Sequence, residues 1–181
     1  MTLEQRIDWA DEAVTNWDPV CCGRRAWVCW DDSIEADLGP DPSGERFRRI
    51  RDAASRGDYY PPDAVRFFGR FRTENRALRV GDRVLQRARV LPLLPWPIVW
   101  SVAEIVLVED EPSRFKIGYV TTNRHHARGA WSAELRLREG GLSIRVQSTA
   151  SPRSAFFWLG LPLARWLQLR ARRRALEEFA K

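Results

Sequence analysis

The first part of the chain repeats its apolar residues with the period of an α-helix, and the later part alternates them as β-strands do. A helix is predicted near the N-terminus, because Thr2 and Gln5 match a capping box and the pattern stops at Asp18-Pro19. Its apolar face consists of residues three and four positions apart: Leu3, Ile7, Ala10, Val14 and Trp17. A short apolar strand is predicted over Ala26–Trp30. A second helix is predicted over Glu45–Arg56, with an apolar face of Phe47, Ile50 and Ala54.

From Tyr59 onward the period is that of strands. Apolar and polar residues alternate over 65–71, 83–90, 115–121, 131–138 and 142–148, and residues 98–108 form a nearly continuous apolar run. Glu139-Gly-Gly141 predicts a hairpin turn between the last two of these segments. The pattern indicates a meander of five or six antiparallel strands with one apolar face and one polar face.

A long helix is predicted after the sheet, over residues 154–181. Its apolar stripe comprises Leu163, Trp166, Leu167, Ala171 and Phe179, while Arg165, Arg172 and Arg173 are placed on the opposite, solvated side. The economical arrangement of these elements lays the helix across the concave face of the sheet. The predicted fold class is therefore α+β, a curved antiparallel sheet wrapped around a long C-terminal helix, with a mostly helical N-terminal extension.

Charge divides the chain at a segment rich in proline and glycine, Leu38–Gly44, which we interpret as a linker. Residues 1–44 form an acidic extension with a net charge of −7, and residues 45–181 form a basic domain with a net charge of +13. Opposite charges indicate that the extension docks on the domain. A tail that binds a partner is the alternative.

Composition excludes several classes of protein. With 44% hydrophobic and 30% charged residues the chain can bury a core, so global disorder is excluded. The three cysteines do not suit a disulfide scaffold and lack the spacing of a zinc site, so we expect no metal. The longest apolar run is interrupted by prolines and a glutamate, and no signal peptide precedes it, so we expect a cytoplasmic protein.

The positive charge does not by itself predict a nucleic acid partner, although the sequence pI is about 9.9. All basic residues except Lys116 and Lys181 are arginine, which is typical of a coding bias. The arginines of 165–174 lack interleaved aromatic residues, so we interpret them as a solvated helix face. Residues 156–161 could touch a membrane surface, but burial under the sheet is favoured. No nucleotide-binding or hydrolase motif is present, no cofactor is expected, and the oligomeric state is open.

Two features could carry chemistry. The turn at 121–129 holds both histidines, and His125 could act as an acid or base oriented by Thr121 or Glu134; the alternative is that the histidines only support the hairpin. The chain also contains nine tryptophans, eight phenylalanines and three tyrosines. They predict either a filled core or a cavity lined by aromatic rings. The candidate lining residues are Trp100, Tyr119, Trp131, Trp158 and Trp166, with Thr121, His125 and Glu134 as polar anchors.

Five short motifs occur in a fixed order: Tyr60-Pro-Pro62, Leu78–Val84, Gly118–Gly129, Ser148–Pro152 and Arg165–Gln168. Together they resemble the DUF1990 family over roughly Gly57–Phe179. In that family an acidic residue commonly follows the glycine that matches Gly129, whereas this chain has Ala130, which weakens the case for a carboxylate–histidine pair unless Glu134 replaces it. The acidic extension lies outside the resemblance.

The resemblance implies a START-like helix-grip fold with a cavity between sheet and helix that often takes apolar ligands. It implies no reaction, because such folds host carriers, cyclases and hydrolases. The leading hypothesis is a domain that binds a small apolar or amphipathic ligand. The alternatives are an enzyme that uses His125, and a regulatory module that binds an anionic partner when its acidic extension is displaced.

Overall fold

The computed structural model describes residues 1–17, 30–89, 98–152, 166 and 169–180. Its seven strands are β1 (Trp30–Pro40), β2 (Val65–Phe68), β3 (Arg83–Arg89), β4 (Ile98–Glu111), β5 (Arg114–Thr121), β6 (Ala127–Arg138) and β7 (Gly141–Pro152). Its helices are α1 (Leu3–Asp11), α2 (Glu45–Ser55), the short α3 (Arg70–Thr73) and α4 (residues 169–179). No helix in these ranges is long and apolar enough to cross a membrane.

All strands belong to one antiparallel sheet in the order β1-β7-β6-β5-β4-β3-β2. The strands β2 to β7 form the predicted meander, and β1 pairs with β7 at the far edge. The predicted strand at Ala26–Trp30 meets β1 only at Trp30, and its other residues lie outside the described part of the chain. The predicted alternation through Gly69 and Phe71 also ends early, because the chain turns into α3 after Phe68.

The segment Leu38–Gly44 is not a linker, contrary to the sequence analysis. Residues 38–40 are the end of β1, and Leu38 is buried in the main core. Asp41 then accepts hydrogen bonds from the backbone N–H groups of Arg46 and Phe47, at 3.3 and 2.8 Å, and so caps the start of α2. Proline and glycine serve here to make a tight turn inside the fold rather than a flexible connection.

The concave face of the sheet carries the larger core. Strand pairing places Ile117 opposite Ala133 and Tyr119 opposite Trp131, and each of these side chains points toward the helices. The helix α2 covers this face with Phe47, Ile50 and Ala54, as its sequence predicted. The C-terminal helix α4 covers it with Leu176 and Phe179. The predicted helix-grip arrangement is confirmed in the described residues.

The helix α1 lies on the opposite, convex face, where Ala10 and Ala13 pack against Leu85 and Val102. The small alanine side chains let the helix approach β3 and β4 closely. The predicted apolar face is correct at Ile7 and Ala10 but wrong at Leu3 and Val14, which are 45% and 61% exposed. The helix ends at Asp11, because the following residues extend along the β5–β6 turn: Asn123 N–H donates to the Val14 carbonyl at 2.7 Å.

Ion pairs join the acidic N-terminal segment to the basic body, as its charge predicted. Arg70 contacts Asp8 at 2.6 Å and Asp11 at 2.9 Å, and Arg124 contacts Glu12 at 3.1 Å. These pairs are largely exposed, and such pairs contribute about 0–1 kcal/mol each. The buried alanine contacts therefore stabilise the docked helix more than the charges do.

Replacing Ala10 should test this docking. Ala10→Arg places a long charged side chain in a fully buried position, so we expect the free energy of unfolding to fall by about 2–4 kcal/mol in a urea titration. Val14→Arg is the matched control, since Val14 is exposed, and should change stability by less than about 0.5 kcal/mol. Equal effects of the two substitutions would contradict the observed position of α1.

Candidate functional site

A cavity lies between the concave face of the sheet and α4. Strands β5, β6 and β7 supply one wall, which includes Ile117, Trp131 and Val146, and α4 supplies the other. The volume is about 40 Å³. This is room for about three water molecules, so any larger occupant requires side chains or α4 to shift outward.

Aromatic rings stacked on Trp131 form one end of this cavity. Trp131 lies nearly parallel to Tyr59, with ring centroids 5.2 Å apart, and nearly parallel to Tyr119, at 5.1 Å. Tyr60 contacts both Tyr59 and Trp131. The three tyrosines of the chain therefore meet around a single tryptophan, and we call these four residues the aromatic cluster.

The tyrosines of the aromatic cluster remain neutral phenols. Burial raises the pKa of Tyr59 well above its ordinary value, and it also raises that of Tyr119, which the Gln86 side chain and Arg172 lower only in part. For Tyr60, burial again outweighs the opposing effect of Arg172 on the pKa. Their hydroxyl groups therefore act as hydrogen-bond donors at neutral pH.

Arg172, on α4, lines the same cavity and is only 2% exposed. Its Nη2 donates to Ser148 Oγ at 3.0 Å, and Ser148 in turn donates to Asp32 Oδ2 at 3.4 Å. Its Nε and Nη1 are buried and have no hydrogen-bond partner. The sequence analysis placed Arg172 on the solvated side of the helix, which is wrong: it lies on the same face as Ala175, Leu176 and Phe179, at helical spacing.

Two further buried polar groups that line the cavity lack a hydrogen-bond partner with good distance and angle. They are the Tyr59 hydroxyl and the Trp131 Nε1–H, although the Tyr60 hydroxyl lies near the latter. Buried polar groups in proteins are nearly always hydrogen-bonded, so each exception requires an explanation. The cavity thus combines an apolar lining with several unused donors.

The aromatic residues predicted to line the cavity do not all lie there. Trp131 lines the cavity and Tyr119 stacks on it, as expected. Trp100 instead packs on the convex face beside α1, where the Arg6 guanidinium lies 4.6 Å from its ring. Trp166 is 51% exposed and is contacted by Arg170. Trp158 lies outside the described residues.

Thr121 and His125 support the turn between β5 and β6. Thr121 Oγ1 accepts a hydrogen bond from Gly129 N–H at 2.9 Å and donates to Asn16 Oδ1 at 2.6 Å. His125 Nδ1 accepts from Ala127 N–H at 3.0 Å. The surrounding protein lowers the pKa of His125 to about 4 by desolvation, despite its hydrogen bond with Ala127, so the ring is neutral at pH 7.

Glu134 does not join His125, contrary to the predicted pair. Alternation along β6 turns Trp131 and Leu135 toward the cavity and Glu134 toward the convex face. There it pairs with Arg114 at 2.5 Å and with Arg136 at 2.8 Å. Burial works to raise the pKa of Glu134, but these hydrogen bonds hold it below its ordinary value. Neither His125 nor Glu134 is among the cavity residues.

Comparison with known protein families gives a decisive match. The profile of a family described as a domain of unknown function (DUF1990) matches residues 30–178. The chain belongs to the DUF1990 family. The match begins at β1 rather than near Gly57, where the resemblance was expected to start, and β1 is an integral strand of the sheet.

Solved structures similar to this DUF1990 chain share its fold. A hypothetical protein of Helicobacter pylori, jhp0584, has a TM-score of 0.53 at 12% identity and covers 93% of this chain and 96% of its own. Norcoclaurine synthase of Thalictrum flavum has a TM-score of 0.51 at 13% identity, and the match covers 91% of this chain and 92% of the synthase. Human STARD10 has a TM-score of 0.52 at 9% identity, and the match covers 86% of this chain and 65% of STARD10. No curated protein matches the sequence.

Tyr59, Tyr60 and Arg172 line the cavity but are not among the residues predicted from the sequence to do so. A usable signal existed for Arg172, because it stands three, four and seven residues before Ala175, Leu176 and Phe179. The general rarity of buried arginine argued against this interpretation. The tyrosines precede the pair Pro61-Pro62 in a segment without regular periodicity, so only the fold brings them to the cavity.

The neutral state of His125 should make stability depend on pH. Its folded pKa of about 4 lies below the ordinary value of 6.5, so its contribution is complete above pH 6.5 and is lost as the pH falls toward 4. His125→Asn keeps an acceptor for Ala127 N–H but cannot titrate. We expect the wild type to lose more stability than this variant between pH 7 and 4, by about 2–3 kcal/mol in urea titrations. Parallel pH profiles of the two proteins would contradict the assignment of a half-buried, neutral His125.

Proposed function

We propose that this DUF1990 chain binds a small apolar or amphipathic molecule between the sheet and the C-terminal helix. The observation that carries the proposal is an apolar, aromatic cavity whose lining leaves buried hydrogen-bond donors unpartnered. Small-molecule sites combine a mostly apolar wall with a few polar groups that orient the ligand. The cavity has both features.

The cost of the cavity supports a functional role. A cavity of about 40 Å³ forgoes about 1 kcal/mol of packing energy relative to a filled core. A larger side chain at Ala133 or Ala175 would fill this space. Local departures from optimal packing and hydrogen bonding of this kind are typical of functional sites.

The elements around the cavity suit a site that opens. Among the described residues, Arg172 donates to Ser148 Oγ at 3.0 Å and Arg174 pairs with Asp63 at 2.8 Å, and just after α4 the Ala180 carbonyl accepts from Arg46 at 2.8 Å. The Arg174 pair is exposed and contributes little. Outward movement of α4 would enlarge the cavity while the sheet keeps its hydrogen bonds.

The fold adds a second line of support. The structure of norcoclaurine synthase was determined in complex with dopamine and hydroxybenzaldehyde, so a protein of this fold can hold small aromatic molecules. The identity of 13% carries no inference about this chain's ligand or reaction. The proposal therefore concerns binding and does not include catalysis.

An uncharged apolar probe tests the proposal. N-phenyl-1-naphthylamine should bind the wild-type protein saturably, with an increase in its fluorescence. Ala133→Leu fills the cavity and should weaken binding about tenfold, equivalent to about 1.4 kcal/mol. Ala130→Leu is the matched control on the same strand, because Ala130 faces the opposite side of the sheet. The absence of saturable binding, or equal weakening by both variants, would overturn the proposal.

A further inference from the structure

Arg172 is the single charged residue among the described residues that line the cavity. Its side chain is almost fully buried, and none of the described carboxylates forms an ion pair with it. A buried lysine or carboxyl group can become neutral by losing or gaining a proton, but an arginine in a protein stays charged. The cavity therefore contains a permanent positive charge.

The protein satisfies this charge only in part. Of the five N–H donors of the guanidinium, one bond is made, to Ser148 Oγ. Asp32, which stands opposite Ser148 in the pairing of β1 with β7, accepts a hydrogen bond from that hydroxyl. Nε and Nη1 remain without a partner. A buried charge without a partner strongly destabilises the folded protein. A ligand that pairs with Arg172 would therefore gain free energy of binding by removing this penalty.

The neighbouring tyrosines do not supply the missing counter-charge. Arg172 favours ionisation of Tyr60 and Tyr119, but burial keeps the pKa of each phenol above its ordinary value. The Tyr59 hydroxyl is neutral, buried and unpartnered as well. The aromatic cluster thus adds further donors to the site rather than an anion.

The unused polar groups of the cavity point to an acceptor. Arg172 Nε and Nη1 can only donate, and the Tyr59 hydroxyl can donate. A carboxylate presents two acceptor oxygens with one negative charge, which equals the charge of the single cation. A phosphate dianion would bring an excess of negative charge into an apolar cavity, at a desolvation cost that no second cation here offsets.

We propose that the ligand of this cavity is a monoanionic organic acid whose carboxylate pairs with Arg172 and whose aromatic or aliphatic body lies against Trp131 beneath α4. The proposal rests on the function proposed above, because it specifies the ligand of the same site. The carboxylate takes the unused N–H groups of Arg172. The apolar body takes the space between the aromatic cluster and the side chains of Leu176 and Phe179.

A pair of probes of the same shape separates the charge from the apolar body. Calorimetric titration of the full chain would use 2-naphthoate and its uncharged amide, 2-naphthamide. We expect the wild type to bind the naphthoate about tenfold more tightly, because hydrogen bonds between charged partners are about twice as strong as neutral ones. Arg172→Met should lower naphthoate affinity at least about tenfold and change naphthamide affinity by less than about twofold. Arg173→Met, an exposed position on the same helix, is the control and should change neither.

The stability of Arg172→Met is a further readout. Arg172→Met removes a buried, partly unpaired charge, so its unfolding temperature should equal or exceed that of the wild type.

The outcomes distinguish the two proposals. Equal binding of both probes by the wild type, with naphthamide binding still sensitive to Ala133→Leu, would overturn the acid ligand and keep the apolar site. Absence of binding by either probe would overturn both. Loss of stability in Arg172→Met together with equal weakening of both probes by that variant would assign Arg172 a structural role and overturn the acid ligand.

Discussion

The concave face of the sheet has to be covered, and the remaining structure depends on how α4 covers it. Antiparallel pairing of β5, β6 and β7 turns large apolar side chains, with Trp131 at the centre, to one side. Water must be removed from that face, and burying each large apolar side chain contributes about 1.5–3 kcal/mol. The helix that does so presents Leu176 and Phe179, and at the same spacing it presents Arg172. The contact that completes the core therefore also brings a cation into it.

The two faces of the sheet have different roles. On the convex face, α1 packs through alanines and leaves a dense contact with Leu85 and Val102. On the concave face, packing is incomplete around the aromatic cluster, and the donors of Arg172 and Tyr59 are unused. The acidic N-terminal segment thus stabilises β3 and β4 from outside, on the side away from the cavity. A dense outer contact and a loosely filled inner one suit a rigid sheet with a helix that can move.

The alternation of residues explains how much could be predicted from sequence. The period of two along β6 places Trp131 and Leu135 on one face, and the same period places Glu134 on the other, so the proposed pairing of Glu134 with His125 conflicted with the pattern itself. Trp100 could not be assigned in this way, because β4 is almost continuously apolar and contains a bulge between Ile105 and Leu107. The position of Arg172 could not be predicted from its residue type. An arginine within the apolar stripe of a helix can be buried or can extend into solvent, and only the packing of α4 decides between the two.

The central claim is that an anionic ligand occupies the cavity at Arg172, and a crystal structure of the protein grown with saturating 2-naphthoate tests it most directly. The account predicts the carboxylate within hydrogen-bond distance of Arg172 Nη1 or Nε, the naphthalene ring against Trp131, and α4 displaced outward from the sheet. A naphthoate bound elsewhere, with Arg172 still contacting only Ser148 and the cavity no larger than its present 40 Å³, would contradict it.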